Sequence, residues 1–215
     1  MPLQPLFVGD PALIVVDIQR GSASPGQESG IPHMPGALER IARAELIVAA
    51  ARAARAARVP VIFFQEAHRR SGVDFGRELD GTEDVHCLEG DPGTELWPTL
   101  QPADDEYHIV KRRYSGFIGT EFELLLRGLS VSTLVLIGGL TDVCVHYTFA
   151  DAHQRDYYVR VVEDCVGGSS EARHLASLDA MEYLQAGARR STQEITDAFA
   201  VLAAQRTLTA TGATR

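Results

Sequence analysis

Asp17, Lys111 and Cys144 are the side chains of this chain whose types and placement could do covalent chemistry. Cys144 follows an apolar run, Val131 to Ile137, and then Gly138-Gly139-Leu140-Thr141-Asp142-Val143, which reads as strand, turn and helix start. A thiol just inside a helix N-terminus meets the positive end of the backbone dipole, which favours the thiolate. A thiolate so placed can attack a carbonyl carbon. For any lone thiol, a buried structural cysteine is the plainer reading. Asp17 alone could cap or pair with a structural arginine, and Lys111 alone could be a solvated member of the run Lys111-Arg112-Arg113. Each of the three, however, stands just past the carboxyl end of an expected parallel strand, where open α/β sheets bind their ligands. Together, the catalytic reading prevails. Asp17 would take the thiol proton and later return it to a leaving amine. Lys111 would hold carboxylate and sulfur in their charged forms, so that titration belongs to the group.

The elements that must position these residues follow from pattern. Ala12 to Asp17 is an apolar run ending in a carboxylate, a buried strand. Gly21 to Pro35 reads as a loop, and Gly36 to Arg58, rich in alanine, leucine and arginine, as a helix. Strands are expected at Val59 to Phe64, Tyr107 to Val110, Val131 to Ile137 and Tyr158 to Val162, with a weak one near Ala188 to Arg190. Helices are expected at Thr120 to Arg127, Asp142 to Gln154, Ser170 to Leu184 and Thr192 to Ala203. Thr120 with Glu123 has capping-box spacing, and Thr141 and Asp142 are expected to steady the turn and cap the helix that follows. Between Gln65 and Asp105 lies a long irregular segment rich in glycine and proline, and loops of that length are usually functional. Strands alternating with helices predict an α/β sandwich with a mainly parallel sheet.

The 215 residues predict one domain spanning the chain, with its core from about residue 12 to 190. A formal net charge of −9 argues against a nucleic-acid surface. No stretch is apolar for long enough to span a membrane, and residues 1 to 10 carry no basic cluster or signal-peptide core. Three cysteines with no metal-type spacing point to a reducing compartment, the cytoplasm.

The blocks Asp17-Ile18-Gln19, Lys111-Arg112-Arg113-Tyr114-Ser115-Gly116-Phe117-Ile118-Gly119-Thr120 and Gly138-Gly139-Leu140-Thr141-Asp142-Val143-Cys144-Val145, in this order, resemble the isochorismatase-like cysteine hydrolases. The best-matching branch is that of amide and ureide hydrolases: N-carbamoylsarcosine amidase, ureidoacrylate and biuret hydrolases, and nicotinamidase. The resemblance runs from about Ala12 to Leu184 and implies a three-layer αβα sandwich around a sheet of about six strands. It gives Asp17, Lys111 and Cys144 the roles of a catalytic triad. It also implies a cis peptide at Gly139–Leu140 and an oxyanion hole made by the Leu140 and Cys144 amides. The implied reaction is hydrolysis of a small amide, carbamoyl or ureide substrate through a thioester. Gln19, Tyr114 and Phe117 are candidates for the substrate wall, and Arg112 and Arg113 could meet a substrate carboxylate.

The nicotinamidase branch binds a divalent metal through an Asp-x-His pair and a later histidine. Here Glu66, His68 and His86 stand at matching places, with glutamate replacing aspartate. Ordinary hydrogen bonding is the favoured reading of these residues, so no metal and no other cofactor is expected. A metal-assisted nicotinamidase-like hydrolase and an idle binding protein on the same fold are the alternatives. The resemblance further implies self-association, as a dimer or tetramer. Cys87 and Cys165 are read as structural.

Overall fold

The computed structural model describes residues 5–22, 37–81 and 83–212. The loop expected over Gly21 to Pro35 lies outside the described residues from residue 23 on. Six strands alternate with five α-helices: β1 (Asp10–Val16), α1 (Ala37–Ala56), β2 (Val61–Glu66), β3 (Tyr107–Lys111), α2 (Phe122–Gly128), β4 (Val131–Gly139), α3 (His146–His153), β5 (Tyr158–Gly167), α4 (Glu171–Leu184), β6 (Arg189–Arg190) and α5 (Thr192–Gly212). The sheet order is β3-β2-β1-β4-β5-β6, and every pairing is parallel. Helices cover both faces, giving the expected three-layer sandwich.

Side-chain alternation explains the layers. In β1, Leu13 and Val15 point to one face and Ala12, Ile14 and Val16 to the other. The first pair packs with Ile47, Ala50 and Ala54 of α1 and Ile195 and Phe199 of α5. The second set packs with Phe122 and Leu126 of α2, Phe149 of α3 and Met181 of α4. Both faces are dry, so the central strands read as unbroken apolar runs rather than alternating ones. Among the described residues no helix is long and apolar enough to cross a membrane.

Strand order reverses between β1 and β4. The chain goes outward through β2 and β3 on one side and through β5 and β6 on the other. Because all strands run the same way, the ends of β1, β2, β3 and β4 share one edge of the sheet, and the crevice of this fold lies there.

Element ends depart from pattern in instructive places. β2 runs two residues past Phe64, to Glu66. β5 continues to Gly167 through Glu163 and Asp164, with the register shifting against β4 between Leu136 and Gly138. α5 continues nine residues past Ala203. α2 begins at Phe122, so Thr120 does not cap it in the expected box; its hydroxyl instead accepts from the Phe122 N–H at 3.1 Å. Ser170 caps α4 as expected, accepting from the Arg173 N–H at 3.3 Å. The long segment after β2 holds two single 3₁₀ turns, at Glu78–Asp80 and Pro92–Thr94.

Gly138 is irreplaceable at the β1–β4 seam. Its φ is +117°, and an added Cβ would lie 2.1 Å from the Val16 carbonyl oxygen. A backbone atom cannot swing aside as a side chain can, and the positive φ adds its own strain. Gly138→Ala is expected to give little or no soluble folded protein. Gly139→Ala, whose Cβ would meet its nearest atom at 3.7 Å, is expected to fold. Soluble yield and circular dichroism of the two variants check this.

Candidate active site

Asp17 is the first residue beyond β1, with φ of +50°. This left-handed backbone is uncommon for a side-chain-bearing residue and more tolerable for Asp than for most. Its N–H donates to the Phe64 carbonyl at 3.2 Å, tying the turn to β2. Lys111 ends β3 and is fully buried. Cys144 lies on a wide five-residue turn, Thr141–Val145, closed by the Val145 N–H donating to the Leu140 carbonyl at 3.1 Å. The α-helix proper starts after it, at His146, so Cys144 precedes the expected helical first turn.

The three side chains meet, and a fourth joins them. Lys111 Nζ lies 2.8 Å from Asp17 Oδ2, 3.4 Å from Cys144 Sγ and 3.2 Å from Glu66 Oε2, and it donates to the Arg113 carbonyl at 3.1 Å. Asp17, Glu66 and Cys144 each bring an O or S atom within 4.8 Å of the others'. Cys144 Sγ is 3.6 Å from Glu66 Oε2. Glu66 ends β2 as Asp17 ends β1, so the parallel sheet delivers two carboxylates to one ammonium. Neither Asp17 oxygen receives an aligned hydrogen bond, which leaves them able to accept a proton.

The electrostatics separate the two carboxylates. Burial raises the Asp17 pKa, and the Lys111 charge only partly opposes it. Burial works against Glu66 as well, but Lys111, His68 and His86 together hold its carboxyl well below the usual range. Burial also disfavours the Lys111 charge, yet Asp17, Cys144 and Glu66 keep the ammonium protonated well above its ordinary pKa. The two carboxyls are therefore pushed apart, Glu66 toward the anion and Asp17 toward the acid. For Cys144, burial pushes the thiol pKa up; Lys111 lowers it, and Asp17 and Glu66 add to the rise. These surroundings favour the thiol over the thiolate that helix position alone suggests.

Past the Gly139–Leu140 peptide, which is cis, Thr141 and Asp142 hold the cysteine turn by long-range bonds. Thr141 Oγ1 lies 2.9 Å from His174 Nδ1, and Asp142 Oδ1 accepts from the Ser169 N–H at 2.8 Å. No side chain caps this turn, so the expected capping role gives way to clamps onto α4 and the connection before it.

On the far side of Glu66 lies a second cluster. His86 Nε2 is 2.9 Å and His68 Nε2 3.3 Å from Glu66 Oε1, and His68 Nε2 is 3.4 Å from Glu78 Oε2. Burial opposes the His86 charge, but Glu66 outweighs it and lifts the pKa to about 9. Burial and the Glu66 charge lift Glu78 to about 7. Glu66, His68, Glu78 and His86 are the residues that could hold a metal ion, with ligand atoms all within 4.8 Å of one another. Sequence reading had not singled out Glu78, which sits in a loop without periodicity.

With this geometry the chain can be set beside known proteins. A family model for the isochorismatase domain matches residues 11–195. The chain belongs to the isochorismatase domain family. A ureidoacrylate amidohydrolase, RutB, from Methylobacterium radiotolerans is 33% identical over 196 residues, covering 80% of this chain and 74% of that protein. A maleamate amidohydrolase from Pseudomonas putida is 29% identical over 173 residues, covering 80% and 79%. The crystal structure of a cysteine hydrolase from Pseudomonas syringae pv. phaseolicola superposes with a TM-score of 0.80 at 28% identity, covering 94% of this chain and 99% of that one.

Within this isochorismatase-family site, the residues expected to form a substrate wall divide. Tyr114 is partly buried, its ring centroid 5.5 Å from that of Tyr147 in α3. Burial and the nearby charges of Glu78, Glu83 and Cys144 raise its hydroxyl pKa, and the hydroxyl reaches Glu83 Oε2 at 3.3 Å. Phe117 packs in the core, its ring centroid 4.7 Å from that of Phe122 with the Arg155 guanidinium 4.8 Å from its centre. Arg112 and Arg113 fasten the loop: Arg112 reaches the Ala67 carbonyl, Glu89 and Asp74, and Arg113 donates to the Asp74 carbonyl at 2.5 Å.

The Gln19 amide serves the scaffold. Its Nε2 donates to the carbonyls of Glu66 at 2.9 Å and Thr94 at 2.8 Å, and its Oε1 accepts from the Glu66 N–H at 3.0 Å. Gln19 thereby fixes the backbone of Glu66. Thr94 keeps a second donor, Gln65, at 2.7 Å, so a Gln19→Leu change strands chiefly the Glu66 amide and carbonyl. It is expected to cost about 2–6 kcal/mol at ~1–3 kcal/mol per unsatisfied group, read as a lowered urea midpoint at unchanged slope.

Proposed function

We propose that this chain is a cysteine-dependent amidohydrolase that cleaves the C–N bond of a small amide, carbamoyl or ureide substrate through a thioester on Cys144. The observation that carries this reading is the sharing of one buried ammonium by two carboxylates of opposite tendency beside a thiol. The ureidoacrylate and maleamate amidohydrolases among the relatives support the substrate class.

In this reading Cys144 Sγ attacks the substrate carbonyl while its proton passes to Asp17. The oxyanion rests on the N–H groups of Leu140 and Cys144, where one such donor is worth about 3–4 kcal/mol of barrier. Asp17 then gives its proton to the departing nitrogen, which leaves as ammonia or an amine. Water enters, Asp17 takes its proton, hydroxide opens the thioester, and the proton returns to the thiol. Lys111 stays charged throughout and keeps Asp17 and the sulfur in register. Cys87, Cys144 and Cys165 are free thiols, in keeping with a reducing cytoplasm.

A second reading, a metal-assisted nicotinamidase-like hydrolase, draws on one observation, the Glu66–His68–Glu78–His86 cluster. Ammonia release from ureidoacrylate, N-carbamoyl amino acids, maleamate and nicotinamide separates the readings. Turnover of a ureide or linear amide is expected. Turnover of nicotinamide alone would favour the second reading, and no release from folded protein would favour a binding role.

A further inference from the structure

Leu140, an oxyanion donor in the amidohydrolase reading, is held from both sides by one short stretch of chain, Gly167 to His174. Before it, Gly139 pairs with Gly167 in the β4–β5 register. After it, Asp142 accepts from the Ser169 N–H at 2.8 Å and from the Ser169 hydroxyl, and Thr141 Oγ1 lies 2.9 Å from His174 Nδ1. The fit is close. A Cβ added at Gly168 would lie 2.8 Å from His174 Cβ and 3.0 Å from Asp142 Oδ1, so the connection is wedged between α4 and the cysteine turn.

Thr141 is fully buried, and a buried hydroxyl needs a partner. His174 supplies it from a half-buried place in the first turns of α4. Burial lowers the His174 pKa, Arg43 and Arg189 lower it further, and Asp142 and Glu163 oppose them. The neutral ring is therefore favoured. A neutral ring whose Nδ1 accepts from the Thr141 hydroxyl carries its proton on Nε2. The branched Cβ of Thr141 leaves its side chain few rotamers. Fixing the hydroxyl therefore fixes the backbone that follows Leu140.

We propose that His174 is a positioning residue of the candidate active site: through the Thr141 hydroxyl it sets the placement of the Leu140 N–H against the Cys144 sulfur. The inference rests on the amidohydrolase reading, which supplies the oxyanion for that N–H. Its effect is geometric, and a group displaced by about 1 Å can cost ~10²-fold in rate.

Steady-state ammonia release and amide hydrogen exchange of the full-length protein test it. His174→Ala puts a good helix former at a half-buried helix position and should fold. Its kcat should fall by roughly 10- to 100-fold with KM within about twofold, the pattern of a lost transition-state interaction. Thr141→Val, which deletes the hydroxyl at nearly constant shape, should lose a similar factor. The double variant should be little worse than the poorer single one, since both remove one contact. His174→Asn, whose side-chain amide reaches from the place of Nδ1, should recover most of the loss. Leu175→Ala, at an exposed neighbouring position of α4, should leave kcat unchanged. Exchange of the amides of residues 139–145 should be faster in His174→Ala than in wild type or His174→Asn. An unchanged kcat in folded His174→Ala, a loss carried by KM, or an Asn variant no better than Ala overturns the inference. A wild type that releases no ammonia sinks the amidohydrolase reading instead. Exchange then decides the tether, faster exchange in His174→Ala upholding it and unchanged exchange overturning it.

Discussion

Lys111→Met should lower stability by about 3–5 kcal/mol, the cost of removing one partner from a buried charge cluster. Methionine keeps most of the stem and deletes the ammonium that Asp17 at 2.8 Å and Glu66 at 3.2 Å share. Asp17 would remain in a dry crevice without its cation, and Glu66 would keep only His86 as a charged partner, at 2.9 Å. The pH dependence gives this a second reading. Glu66 has a depressed pKa in the folded protein, so its contribution is present above the ordinary Glu range and is lost as pH falls through the folded value. In the variant the largest part of that depression, the Lys111 charge, is lost, while His68 and His86 still act on Glu66. The gap between wild type and variant should therefore be widest near neutral pH, shrink as pH falls through the ordinary carboxylate range, and close only below the depressed folded value of Glu66. Urea unfolding at a series of pH values measures it. Lys111→Arg should not rescue, because a planar guanidinium does not fit a point-charge site.

Cys144→Ser should leave the fold intact and reduce ammonia release by on the order of 10⁴-fold or more, as loss of a covalent nucleophile does. The hydroxyl is a weaker acid than the thiol, and Asp17, raised though it is, cannot deprotonate it as readily. Asp17→Asn should cost a comparable factor, since it removes the proton acceptor. The double variant should be little worse than the poorer single one, because residues acting as one unit are not additive. Steady-state kinetics on the best substrate of the ammonia screen check both statements.

The architecture was legible because it rests on unbroken apolar runs. Ala12 to Val16 and Leu134 to Ile137 are buried on both faces, so length and hydrophobicity alone mark them as central parallel strands. The convergence of Asp17, Lys111 and Cys144 followed from the same reading, since parallel strands put their carboxyl ends on one edge. What stayed hidden had a local cause. Ending β2 at Phe64 detached Glu66 from the strand end that carries it, so it was weighed only as a metal candidate; its polar side chain broke the apolar run that defined the strand. Glu78 lies in a segment ordered by side-chain bonds rather than periodicity, and no spacing rule reaches it. Position on a turn also says nothing about burial beside two carboxylates, which raises the Cys144 pKa against the helix-end effect. Gln19 and Phe117 sit close in sequence to the triad, yet proximity along the chain does not tell a wall from a scaffold; their hydrogen bonds and packing do.

The central claim is that the carbonyl fragment of the substrate passes through a bond to the Cys144 sulfur. Rapid-quench mass spectrometry of wild-type protein mixed with a substrate from the ammonia screen tests it most directly. The acyl fragment should appear on the peptide carrying Cys144 within the first turnover, decay as product forms, and be absent when Cys144 is serine. Full turnover with that peptide unmodified at every quench time would contradict the account.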